Sequence, residues 1–187
     1  MTVLVDYQIK SLCEQGLVNP YDESLINPSS LDIRLGNSLI VHIKGDGFFT
    51  RLWKKLRKKE QDIVRPHDKT ISISHCTKDN PYILEPNEFV LAETLEYLTV
   101  PANIAIELKL KSSRAREGLS HALAGWVDNG FYGVLTLELK NYSTRKPVFI
   151  YPTLRIGQLI IHSTEEPTTP YQGKYSGFNT VMGSLDK

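Results

Sequence analysis

The chain has 187 residues, a length that suits one domain over 1–187 and can bury a core without disulfide or metal staples. Hydrophobic residues make up 41%, charged residues 23%, and the net charge is +1, so no bulk field draws the chain to nucleic acid or to a membrane surface. No run approaches ~20 consecutive apolar residues, the N-terminus lacks a leader's apolar stretch, and the two distant cysteines, Cys13 and Cys76, fit a reduced cytoplasmic chain.

In chain order, Asp6 to Gln15 reads as a short amphipathic helix. Asp6 is its expected cap, Ile9, Leu12 and Cys13 share one face, and Gly16 stops it. Strand signals dominate thereafter. They cover 38–43, 70–74, 88–98, 103–110, 134–139, 148–151 and 155–162, with alternation clearest at Ile104, Ile106, Leu108 and Leu110. Turn residues punctuate them at Pro86-Asn87, Asp128-Asn129-Gly130 and Pro152. Many short strands with one or two short helices predict a mainly β chain, a sandwich or barrel. One segment stands apart: in 51–59 (RLWKKLRKK), six of nine residues are basic, which reads as a solvated insertion between strands. From Pro170 onward, glycines lie beside aromatics and a lysine. Composition fits a mobile flap or a disordered end equally.

The densest polar constellation runs from Lys111 to Glu138. If a helical turn starts at Ser112, then Ser112 and Arg116 lie four apart on one face. With Lys111, Ser113 and backbone N–H groups, that turn is a candidate phosphate site, or else a capped surface turn. Ala124-Gly125-Trp126 is small then bulky, as beside a ligand, and Asp128-Asn129-Gly130 reads as a turn. Glu138 sits in the apolar strand 134–139, where Thr136 and Leu135 give no clean alternation around it. A carboxylate there is costly unless it is used, paired or turned outward at an edge. No C-x-x-C, H-x-E, G-x-S-x-G or Walker A pattern occurs, and the five histidines show no ligand spacing. His121 reads as a structural side chain.

Five segments together resemble the dCTP deaminase/dUTPase superfamily. They are INPSSLDIRLG (26–36), LEPNEFVLAETLEYLTVP (84–101), KSSRAREG (111–118), HALAGWVDNGFYGVLTLELKN (121–141) and YPTLRIGQLI (151–160), followed by the Lys174-Tyr175 pair. The match keeps order and spacing over nearly the whole chain. It implies a distorted β-barrel or jelly-roll subunit in a homotrimer, with active sites between subunits and Mg²⁺ on the phosphates of the nucleotide, without zinc. It implies Glu138 as the catalytic carboxylate, and Ser112 and Arg116 flanking the base and the water, which the Ala124 carbonyl helps to hold. Lys111, Ser113, Tyr171 and Lys174 would contact phosphates. The flap spans 170–187.

Members differ in product. Gly125-Trp126 resembles the bifunctional pattern, in which dCTP goes to dUMP, ammonia and diphosphate for dTMP synthesis, and Asp128 would help place water or metal at the phosphate. Alternatives are a monofunctional deaminase releasing dUTP, a dUTPase only, or a regulatory nucleotide-binding protein, with dTTP a candidate inhibitor. Two departures stand out. Lys111 replaces the family's arginine, losing its bidentate fork. Phe178 replaces a glutamine, leaving no side-chain amide for that tail contact.

Overall fold

The computed structural model describes residues 1–42 and 68–185. The basic segment 51–59, the end of the expected strand at Ile43, and the last two residues of the expected flap lie outside them. Helix α1 spans Asp6–Glu14 and buries Ile9 and Cys13, as its apolar spacing predicts. Its cap is one residue earlier than expected. Val5 holds the extended cap conformation and Asp6 is already helical, because Gln8 Oε1 accepts from the Val5 N–H at 3.2 Å and closes the first turn. Burial pushes the Cys13 thiol up to about 11, so it is an inert core side chain.

The strands are β1 (Thr2–Val3), β2 (Val18–Asn19), β3 (Ile26–Asn27), β4 (Ser30–His42), β5 (Asp68–Ser72), β6 (Tyr82–Leu84), β7 (Phe89–Thr99) and β8 (Ile104–Leu110). After the short helix α2 (Ser112–Arg116) come β9 (Leu119–His121), β10 (Trp126–Val127), β11 (Tyr132–Asn141), β12 (Val148–Ile150) and β13 (Arg155–Ser163). Among the described residues, β6 pairs with β12, and the other strands form one sheet along the path β10-β8-β13-β4-β7-β11-β9. That sheet curls into a half-barrel, so the chain is mainly β, of the expected jelly-roll type.

Strand β4 makes the curl possible. Its first half pairs with β13 (Leu31 opposite Leu159) and its second half with β7 (Leu39 opposite Ala92). The register with β7 shifts between Leu35 and Leu39, around Gly36. A Cβ on Gly36 would stand 2.4 Å from Glu93 Cγ, so glycine lets the two strands close there. Leu31, Ile33, Leu35 and Leu39 of β4, with Val90, Leu98, Ile106, Leu137 and Ile161, are buried in one core. Each such side chain contributes about 1.5–3 kcal/mol by leaving water.

Three carboxylates are buried with that core, and each has partners. Asp32 accepts from Lys111 Nζ at 2.5 Å and Asn27 Nδ2 at 2.9 Å, with Arg155 at 3.6 Å. Glu96 binds Arg34 twice, through Nε at 2.6 Å and the backbone N–H at 2.8 Å. Glu93 accepts from the backbone N–H of Asn37 at 3.0 Å and from two groups of the C-terminal segment.

Candidate active site

Side chains of β11 alternate without a break from Gly133 to Asn141. The sequence suggested no clean alternation here. In fact Leu135, Leu137 and Leu139 turn inward while Val134, Thr136 and Glu138 share the other face, because the bulge near Leu135 shifts only the pairing with β7. Glu138 lies directly opposite Leu91 of β7. Glu138 is half-buried there, with an apolar residue as its cross-strand neighbour.

The second wall comes from the segment between β9 and β10. It leaves β11 where the Ala122 N–H donates to the Glu138 carbonyl at 3.2 Å. It then passes through Leu123, which holds the left-handed conformation (φ 63°) with its side chain in solvent. It joins β8 where the Leu108 N–H donates to the Gly125 carbonyl at 2.6 Å. A Cβ on Gly125 would stand 2.5 Å from the Leu108 carbonyl oxygen. Glycine is therefore required here by a backbone approach to β8, and not only as space beside a base.

The third wall is the C-terminal segment. Its backbone docks along β11: the Gly177 N–H donates to the Tyr132 carbonyl at 2.7 Å, the Val134 N–H to the Phe178 carbonyl at 3.0 Å, and the Met182 N–H to Thr136 Oγ1 at 3.3 Å. Composition left a mobile flap and a disordered end open for this segment; the described residues to 185 are instead docked along β11. Together the three walls enclose a cavity of about 510 Å³, lined by Phe89, Leu91, Phe131, Val134, Thr136 and Glu138, by Ala124 to Val127, and by Tyr175, Phe178, Thr180 and Met182 among others. That volume lies within the usual range for small-molecule sites.

Burial pushes the Glu138 carboxyl above the ordinary glutamate value, against a smaller opposing effect of its own backbone N–H. Among the described residues no cation pairs with it. A carboxyl raised this way is a better proton acceptor than an ordinary glutamate and is suited to accept and return a proton.

The cavity thus brings together Glu138, Ala124, Gly125 and Trp126. Other candidates lie off its lining. Lys111 is held by Asp32 as described, and Ser112, Ser113 and Arg116 project from the exposed surface of α2. Arg114 on the same helix binds Glu117 at 2.8 Å. Asp128 sits at the rim, on the expected turn closed by the Phe131 N–H to its carbonyl, and Oδ1 accepts from Trp126 Nε1 at 3.0 Å. Tyr171 packs its ring 6.1 Å from that of Phe131, and Lys174 Nζ lies 5.3 Å from the ring of Tyr175. His121 lies opposite Leu139 with its Nδ1 buried and unpartnered, and burial pulls its pKa down.

Sequence reasoning did not single out Phe89, Leu91, Thr136, Thr180 or Met182. Only the period of two along β11 could have pointed to Thr136, two residues from Glu138 on the same face.

A curled, mainly β half-barrel with a carboxylate facing an apolar cavity defines a chain of the dUTPase-like fold class. The crystal structure of 2'-deoxycytidine 5'-triphosphate deaminase from Agrobacterium tumefaciens superposes with a TM-score of 0.62 at 19% identity, over 86% of this chain and 47% of that one, so it speaks to the fold. A family model described as dCTP deaminase-like matches residues 3–164, and the chain belongs to that family. A protein of Methanoregula boonei named "dCTP deaminase, dUMP-forming" is 37% identical over 177 residues, which are 92% of this chain and 88% of that protein. One of the same name from Persephonella marina is 36% identical over 191 residues, 99% of each. Among the described residues, no helix is long and apolar enough to cross a membrane.

Proposed function

We propose that the chain hydrolyses dCTP to dUMP, ammonia and diphosphate in one site, consuming two waters. The observation that carries this reading is the Glu138 carboxyl, raised by burial and facing an apolar cavity of nucleotide size. The names of the two relatives agree with it. One water attacks C4 of cytosine as Glu138 takes one of its protons and passes it to N3; Glu138 then takes the proton of the new C4 hydroxyl and hands it to the amino group as the C4–N bond breaks, leaving the C4 carbonyl and ammonia. A second water then attacks the α-phosphorus and the bond to the β-phosphate oxygen breaks. Asp128 would act in this second step from the rim, oriented by Trp126. Tyr171 and Lys174 would reach the phosphates from the tail.

Ser112, Ser113 and Arg116 would act across a subunit boundary, α2 of one copy completing the cavity of its neighbour in a homotrimer. Their exposure away from their own chain's cavity supports this assembly. Mg²⁺ would travel with the phosphates and neutralise their charge. The phosphate oxygens would supply most of its ligands, with Asp128 the candidate protein ligand. A cytoplasmic setting agrees with the unpaired Cys13 and Cys76.

The test is a time course with labelled dCTP and Mg²⁺. Equal amounts of dUMP and diphosphate, with little free dUTP, are expected. Stoichiometric dUTP without diphosphate would mean that the reaction stops at deamination. Zinc-selective chelators should leave the rate unchanged, whereas excess EDTA should stop it until Mg²⁺ is restored. Recovery with Zn²⁺ alone would overturn the metal assignment.

A further inference from the structure

The C-terminal segment forms a wall of the Glu138 cavity, and one buried carboxylate that takes no part in the chemistry above holds it there. Glu93 is 7% exposed. Its Oε2 accepts from both Thr180 Oγ1 and the Val181 N–H, each at 2.9 Å, and its Oε1 from the Asn37 N–H at 3.0 Å. All three donors are neutral, and no cation is paired with Glu93 among the described residues. Val181, which receives this grip, is itself 3% exposed. Glu93 lies directly opposite Thr136, whose hydroxyl oxygen takes the next backbone donor of the segment, Met182. Thr136, Thr180 and Met182 all line the cavity. On the other side, Gly36 leaves the room that the Glu93 side chain needs to reach Asn37.

A buried carboxylate satisfied only by neutral donors is costly to keep unless the fold needs what it holds. We propose that Glu93 is a positioning residue: its carboxylate pins Thr180 and Val181 across the β7–β11 pair, so that the C-terminal segment walls the Glu138 cavity of its own chain before any nucleotide arrives. A wall ordered in advance lowers the cost of ordering it at binding, so its effect falls on KM more than on kcat. This inference rests on the reading of the cavity as the nucleotide site, but the docking itself can be read without substrate.

The experiment compares wild type, Glu93→Gln and Thr180→Val as full chains. Gln keeps one acceptor oxygen but turns an N–H₂ toward one set of donors. Thr180→Val removes a single hydroxyl from an exposed residue and leaves the fold intact. Hydrogen–deuterium exchange without nucleotide should show the Val181 and Met182 amides exchanging about tenfold faster in Glu93→Gln, and to a smaller degree in Thr180→Val, with the β7 and β11 amides unchanged. With dCTP, KM should rise by about tenfold in Glu93→Gln while kcat changes by less than about threefold. Glu93→Asp should recover part of both effects. Wild-type exchange at Val181 and Met182 in both variants would overturn the pin, as would equal loss of protection throughout β7 and β11. A wild-type chain that protects these amides but does not turn over dCTP would instead refute the proposed function and leave the pin standing.

Discussion

Glu138 and the α2 turn are assigned to one reaction, yet the chain builds them in opposite ways. Glu138 is set in the middle of a ten-residue strand, with paired strands on both sides and a docked segment across it. The α2 turn is five residues long, buries none of them, and is fixed from below through Lys111 at its start, whose Nζ binds Asp32 and whose backbone N–H donates to the Ile156 carbonyl at 3.1 Å. A group that must hold a shifted pKa needs a dry, rigid setting, whereas groups that reach toward another surface need exposure and one firm anchor.

The sharpest way to break the comparison is to remove the enclosed group. Glu138→Gln should lower kcat by roughly 10²–10⁴-fold or more while nucleotide still binds, as read by calorimetry beside steady-state rates. Turnover near the wild-type value would end the mechanism. On the exposed half, Arg116→Ala should cost roughly 10²-fold in kcat. Mixing it with Glu138→Gln under subunit exchange tests where the two halves meet. If they come from different copies, random mixed trimers should regain roughly a quarter of the wild-type sites, whereas a site within one chain regains none.

The anchor of α2 is next. Asp32→Ala leaves Lys111 without its buried partner and should destabilise the fold by about 3 kcal/mol, seen as a lower denaturation midpoint. The smallest effect is on pH dependence. Burial raises the folded-state pKa of Glu138 above its ordinary 4.5, so the folded chain binds more protons than the unfolded one as pH rises through that window. Ionised Glu138 therefore costs stability above the raised pKa, and Glu138→Gln should melt slightly higher than wild type at neutral pH. That gain should vanish below about pH 4, where Glu138 is protonated in both states. A gain that persists there would point to packing instead of charge.

The two halves were also unequally legible. Glu138 stood out as a carboxylate among leucines, and the strands with long alternation, such as 88–98 and 103–110, lie within a residue or so of β7 and β8. The short strands β1, β9 and β10 did not stand out, since their partners define them rather than any pattern of their own, whereas β12 lies within the expected 148–151. The expected strand beginning at Ser38 is only the second half of β4. The first half, which no strand signal covered, carries Asp32 and Arg34, charges that only Lys111 and Glu96, distant in sequence, satisfy. The same distance hid the wall formed by Thr180 and Met182, which meets β11 only through the fold.

Strand β4 carries one further consequence. Asp32, which fixes the α2 turn, and the Asn37 N–H, which anchors Glu93, lie five residues apart on this strand, on either side of the partner switch at Gly36. Two devices mounted on one rod share its alignment errors. Deleting a single residue between them would rotate one relative to the other by half a pleat, and no compensating change at either end alone would restore both. Divergence within the family should therefore tolerate exchange of side chains along this stretch far more readily than any change in its length.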